Sequence, residues 1–180
     1  MTQTDIEGLL VLEPTLLEDD RGFFIESWNA RSFAEATGVD VDFVQDNHSR
    51  SVLGVLRGLH YQLPHAQGKL VRCIAGAVWD VAVDIRRSSA TFKQSFGIDL
   101  TQDNHRQLWV PAGFAHGFLA LSPEADLLYK TTEYYVPEAD RAIRWDDPDL
   151  AVQWPLGDEA PIVSSKDESA PLLGEAQLFE

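Results

Sequence analysis

The stretch Val78-Trp79-Asp80-Val81-Ala82-Val83-Asp84-Ile85-Arg86 carries the clearest periodicity in the chain. Its side chains alternate with the period of a β-strand. Trp79, Val81, Val83 and Ile85 fall on one face, and Val78, Asp80, Ala82 and Asp84 fall on the other. Working outward, short apolar runs recur on both sides. Leu9–Leu17, Gly22–Trp28, Phe43–His48, Val55–Gln62 and Lys69–Ala75 read as strands before or up to the turn at Gly76. Phe96–Leu100, Gln107–Val110, Phe114–Leu121 and Asp126–Tyr135 read as strands after it, with turns at Pro111-Ala-Gly113 and Ser122-Pro123. Many short strands at this spacing predict an all-β sandwich or barrel.

One helix stands out. Asn29 is placed to cap Ala30–Thr37, and Gly38 to end it. Beyond Trp154 the chain is rich in turn residues, and an irregular tail that wraps the barrel is expected. With no repeat and no linker, residues 1–180 read as one domain.

Net charge is -15, from 14 Lys and Arg against 29 Asp and Glu. Nucleic acid is a poor partner for so acidic a chain, because neutralising phosphates needs a basic footprint. No apolar run is long enough to span a bilayer, and the N-terminus shows no secretory pattern. Cys73 is the single cysteine and lies in an apolar run, so a buried, inert thiol and a reducing cytoplasm are expected.

His65 and His105 occupy polar, turn-like segments and read as surface residues. His60 and His116 lie within apolar strands, in Gly58-Leu-His-Tyr61 and Gly113-Phe-Ala-His-Gly-Phe118. A histidine in apolar surroundings is more often a hydrogen-bonded core residue than a catalyst; two in one small barrel beside clustered polar groups point to a site. Tyr129 and Tyr135 share parity in one run, which fits amphipathic packing and also fits a phenolic proton donor. Arg57 sits in the apolar run Val55-Leu-Arg-Gly-Leu59, where its forked donors suit phosphate better than a surface role. Arg57 and His60 are three apart, so regular alternation would separate them. Gly58 between them predicts a bulge that turns both inward.

The spacing Pro111-x-Gly113-x-x-His116 resembles the second box of cupin barrels. The first box would normally hold a His-x-His pair, but residue 62 is Gln, and Lys69 places an ammonium where a metal would repel it. The scaffold of a cupin is present without its ligand set, so no catalytic metal is expected.

Taken in order, these pieces resemble the dTDP-4-dehydrorhamnose 3,5-epimerase family. They are Asp20-Arg-Gly-Phe-Phe24 with Glu26, Gln45-Asp-Asn-His-Ser49, Gly54-Val-Leu-Arg-Gly-Leu-His-Tyr-Gln62 and Gly68-Lys-Leu-Val-Arg72. Then follow Asp80-Val-Ala-Val-Asp84, Pro111 to Phe118, Leu128-Tyr-Lys130, Tyr134-Tyr-Val-Pro137 and Ser165-Lys-Asp167. The resemblance covers nearly the whole chain. It implies a cupin-type jelly-roll β-barrel, a homodimer that exchanges strands, and conversion of dTDP-4-dehydro-6-deoxyglucose to dTDP-4-dehydrorhamnose with no cofactor. By motif position it implies His60 as general base oriented by Asp167, Tyr129 as general acid, and Lys69 beside the developing enolate oxygen. Substrate contacts are implied at Arg21, Glu26, Gln45, Asp46, Asn47, Arg57, Lys69, His116, Tyr135, Asp140 and Lys166. Asp140 stands where the family often has a longer glutamate. Three other readings stay open on the sequence: an epimerase acting at C3 or C5 alone, a metal-dependent cupin enzyme, and a sugar-nucleotide binding barrel without catalysis.

Overall fold

The computed structural model describes residues 1–180. Thirteen strands run as β1 Thr2–Gln3, β2 Leu10–Leu12, β3 Leu16–Asp19, β4 Gly22–Ile25, β5 Gln45–Val52, β6 Leu56–Gln62 and β7 Lys69–Ala75, then β8 Ala77–Asp84, β9 Ser95–Thr101, β10 Gln107–Val110, β11 Phe114–Ala120, β12 Glu124–Thr131 and β13 Asp140–Ala142. They form a six-stranded sheet in the order β1-β2-β10-β7-β12-β5 and a five-stranded sheet in the order β13-β6-β11-β8-β9. Strands adjacent in sequence are repeatedly shared out between the two sheets, giving the cupin-like jelly roll. The sheets face one another and remain separate, so the barrel is not closed by hydrogen bonds.

The alternation in β8 holds in space. Val78 and Ala82 point between the sheets, into a core shared with Val71, Leu108, Leu127 and Phe118. Val81, Val83 and Ile85 point outward, yet they are buried too, under Leu150, Leu173, Ala176 and Leu178 of the C-terminal tail. Both faces of this strand therefore remove apolar area from water. The tail makes only isolated bridges, Val55 with Ile162 and Arg86 with Phe179, so it wraps rather than extends the sheet. Asp147 fastens it by accepting from the amides of Leu150 and Leu173.

Helix α1 spans Ala30–Thr37 as the caps predict: Asn29 accepts from the Arg31 and Ser32 amides, and Gly38 closes it in the left-handed region. Phe33 is its buried residue and packs edge-on to Trp109. A second, four-residue helix, α2, at Ser165–Glu168 was not legible in the sequence; Ser164 caps it.

Several strand limits differ from the sequence reading. The run Leu9–Leu17 breaks at residues 13–15, where Pro14 cannot donate to a ladder. Phe43–His48 shifts forward to β5, and Gly22–Trp28 ends at Ile25. Asp126–Tyr135 stops at Thr131, so Tyr135 is not on the strand of Tyr129, and their parity argument falls. His65 is exposed as expected, whereas His105 is half-buried with its ring 4.8 Å from that of Phe23. Cys73 is buried, and burial pushes its thiol up to about 11.

Candidate active site

The two sheets part at one end around a cavity of about 370 Å³. Strands β5, β7 and β12 supply one wall and β6 and β11 the other. Gln45, Asn47 and Ser49 project from β5, and Leu127 and Tyr129 from β12; Arg57, His60 and Gln62 come from β6, Lys69 from β7 and His116 from β11. Tyr135, Asp140 and Lys166 reach in from the connections that follow.

The bulge that lets β6 present both Arg57 and His60 is real. His60 pairs with His116 and Arg57 pairs with Phe118, so two residues of β6 oppose the single Gly117. Gly58 has a φ of +148°, and a Cβ there would meet the Gly117 Cα at 2.7 Å. The backbones pass too closely for any side chain, and the shift in register carries Arg57 onto the cavity wall.

His60 is held from behind. Its Nε2 lies 2.6 Å from Asp167 Oδ1, and Asp167 is buried on α2. Burial pushes the Asp167 carboxyl up, but the His60 bond and charge, the Ser164 contact and the Gly58 amide together hold it below the usual carboxylate range. With Nε2 donating to this carboxylate, Nδ1 is the nitrogen left to take a proton. Lys69 is buried and donates to the His60 carbonyl at 3.3 Å. Burial drives its amine down to about 8, against the pull of the Asp140 and Asp80 carboxylates. The Tyr129 phenol is raised, chiefly by burial, so it keeps its proton at neutral pH.

A second pair lies alongside. His116 Nε2 sits 2.9 and 3.1 Å from the two oxygens of Asp80, both residues buried. At the rim, Asp140 accepts from the Tyr135 hydroxyl at 3.0 Å and pairs with Lys166 Nζ. Gln62 is spent on the backbone: its amide donates to the His65 and Tyr134 carbonyls and accepts from the Val136 amide, pinning the turn that carries Tyr135.

Residues 3–175 match the family model described as dTDP-4-dehydrorhamnose 3,5-epimerase. The chain belongs to this family. A dTDP-4-dehydrorhamnose 3,5-epimerase of Pseudomonas aeruginosa is 55% identical over 178 residues, covering 99% of this chain and 98% of the relative. The crystal structure of a dTDP-6-deoxy-D-glucose-3,5-epimerase from Legionella pneumophila, in complex with dTDP-4-keto-L-rhamnose, superposes with a TM-score of 0.95 at 50% identity, covering 98% of this chain and 95% of that one. A 3'-monoepimerase from Streptomyces bikiniensis, in complex with dTDP-quinovose, shares the fold at a TM-score of 0.90 but only 35% identity, with 97% of this chain and 88% of that one covered.

Within this epimerase fold the residues singled out from sequence divide into two groups. Gln45, Asn47, Arg57, His60, Lys69, His116, Tyr129, Tyr135, Asp140 and Lys166 line one cavity, with Asp167 directly behind His60. Arg21, Glu26 and Asp46 do not. Arg21 lies in the β3–β4 hairpin, exposed and bonded to Asp19. Glu26 accepts from Asn29 and Ser32 beside α1. Asp46 pairs with Lys130 on the opposite face of β5 from Gln45 and Asn47, as alternation requires. Sequence reasoning missed Asp80 as a partner for His116. The signal was there: a carboxylate on the inward face of β8, between Val78 and Ala82, needs a partner once buried.

Proposed function

We propose that this cavity epimerises dTDP-4-dehydro-6-deoxyglucose at C3 and C5, giving dTDP-4-dehydrorhamnose, with His60 as general base and Tyr129 as general acid. The observation that carries the assignment of roles is the His60–Asp167 pair at 2.6 Å, opening onto the cavity that Tyr129 and Lys69 also line. The C4 ketone acidifies the hydrogens on both neighbouring carbons. His60 Nδ1 takes one of them, and the electron pair moves onto the C4 oxygen as an enolate. The Lys69 ammonium stabilises that developing charge, which favours the transition state over the ground state. Tyr129 then delivers its proton to the carbon from the opposite wall, inverting the centre. The imidazolium and phenolate that remain exchange protons with solvent, and the cycle repeats at the second carbon. No electrons are gained or lost, so the stoichiometry asks for no redox cofactor.

The substrate contacts follow from the lining. Gln45 is bonded to Asn47 and accepts from the Tyr135 amide, so β5 and the 134–136 turn form one polar wall for the nucleotide. Arg57, His116 and Lys166 supply donors for its diphosphate.

We also infer that the working form is a homodimer. The β3–β4 hairpin joins neither large sheet, and Leu17, Phe23 and Phe24 on it are 60, 58 and 68% exposed. β5 pairs on one side only and offers a free edge. A second copy whose hairpin meets that edge buries the apolar arm, and it is the route by which Arg21 and Glu26 reach a substrate. A lone, buried cysteine supports a reducing, cytoplasmic setting, and no helix is long and apolar enough to cross a membrane.

The test is incubation with dTDP-4-dehydro-6-deoxyglucose in heavy water, followed by NMR. Deuterium at both C3 and C5 is expected. Label at one carbon alone reassigns the chain to single-site epimerisation, and label at neither removes the catalytic reading.

A further inference from the structure

Resting on that reading of the cavity, we infer that Ser51 is a positioning residue, which aims the Arg57 guanidinium at the diphosphate of the substrate without touching the substrate itself. Three cations line the cavity. Lys166 already has Asp140 as a charge partner, and Lys69 is buried against the His60 carbonyl. Arg57 differs from both: it is exposed at the mouth, and both of its hydrogen bonds run to uncharged oxygens. Its Nε donates to Ser51 Oγ at 3.1 Å, and its Nη2 donates to the Arg50 carbonyl at 3.2 Å. Its positive charge is left uncompensated for a ligand.

The geometry of those two bonds decides what is left. A guanidinium has five N–H donors in a planar fork. The bonds from Nε and Nη2 use one edge of the fork, the edge toward β5. Three hydrogens remain: one of Nη1 and one of Nη2 form the end-on edge that matches two oxygens of a phosphoryl group, and the second of Nη1 points back beside Cδ. Ser51 is 4% exposed and is not part of the cavity lining, so its hydroxyl acts on the ligand only through Arg57. The contact also spans the two sheets, since Ser51 is on β5 and Arg57 on β6. It fixes the arginine just where the Gly58 bulge redirects the chain. Without it, Arg57 keeps only its bond to the Arg50 carbonyl and has more freedom to sample solvent, and the freedom it loses on binding lowers affinity.

The experiment measures Ser51→Ala by calorimetry with dTDP and with thymidine, and by steady-state kinetics with the keto-sugar. Losing one hydrogen bond to a charged group should weaken dTDP binding and raise KM by about three- to tenfold. Thymidine carries no phosphate, and its affinity should stay as in the wild type; kcat should change less than about twofold, because the groups that move protons are untouched. In an Arg57→Ala background, Ser51→Ala should have no further effect on dTDP. Ser51→Thr keeps the hydroxyl and should retain dTDP affinity, whereas Ser51→Val, isosteric with that threonine variant but without the hydroxyl, should not; this pair decides the matter if the alanine variant folds poorly. Equal weakening of dTDP and thymidine, an unchanged dTDP affinity, or an effect that survives in the Arg57→Ala background would overturn the assignment. The heavy-water result on the wild type is independent of these outcomes.

Discussion

His60 and His116 face each other across β6 and β11, and each leans on a carboxylate, yet the two pairs are built to different ends. The His60 side chain is 31% exposed, and its partner arrives from α2, 107 positions later in the chain. The His116 side chain is 9% exposed, and its partner Asp80 comes from the neighbouring strand of the same sheet. One imidazole is gripped on one side and open on the other, as the base proposed here must be. The other is clasped by both oxygens of a carboxylate within a continuous ladder, as a group that holds the shape of a site should be. The pairing of histidine with aspartate does not make a base; access to the reacting carbon does.

The sharpest way to break this contrast is at His60. His60→Ala should lower kcat by roughly 10²- to 10⁴-fold, the usual contribution of a positioned acid or base, and should abolish deuterium uptake at both carbons. Uptake at the wild-type rate would remove His60 from the base role and hand the question to His116. A smaller effect, of a different kind, is expected at Asp80. Asp80→Asn replaces a buried charge partner of His116 and should cost about 1 to 3 kcal/mol of folding stability in chemical denaturation. It should raise KM while proton exchange continues; an exchange rate as low as that of His60→Ala would erase the distinction between the pairs. The mildest test is pH. Burial places the Lys69 amine near 8, so its charge is present below that value and lost above it. kcat/KM should therefore fall by up to tenfold per unit above about pH 8, and Lys69→Arg should move that limb upward. A flat profile to pH 10 would separate Lys69 from the enolate.

Much of the fold could be read directly because period-two alternation survives wherever one face meets the core. β8 is the plain case: its two faces were legible, but the burial of the face that carries Val81, Val83 and Ile85 depends on the tail that covers it. The bulge at Gly58 was also readable, since two polar residues three apart in an apolar strand otherwise conflict. What could not be read is what depends on distant segments. Tyr135 reaches the cavity from a turn, braced by Gln62 and Gln45, and strand parity carries no information about a turn. That Asp80 needed a partner was legible from β8, but naming His116 as that partner required knowing which strand lies next to it. The link between Asp140 and Lys166 joins residues 26 apart through the path of the tail. Arg21 and Glu26 lie away from the cavity because their segment packs as an arm of its own.

The placement of Asp167 ties the site to the tail. The strands of both sheets are complete by β13, whereas the carboxylate behind His60 lies on α2, in the same tail that docks Leu173, Ala176 and Leu178 over the outer sheet. If His60 is the base as proposed, one segment both seals the hydrophobic core and supplies the imidazole with its anionic support.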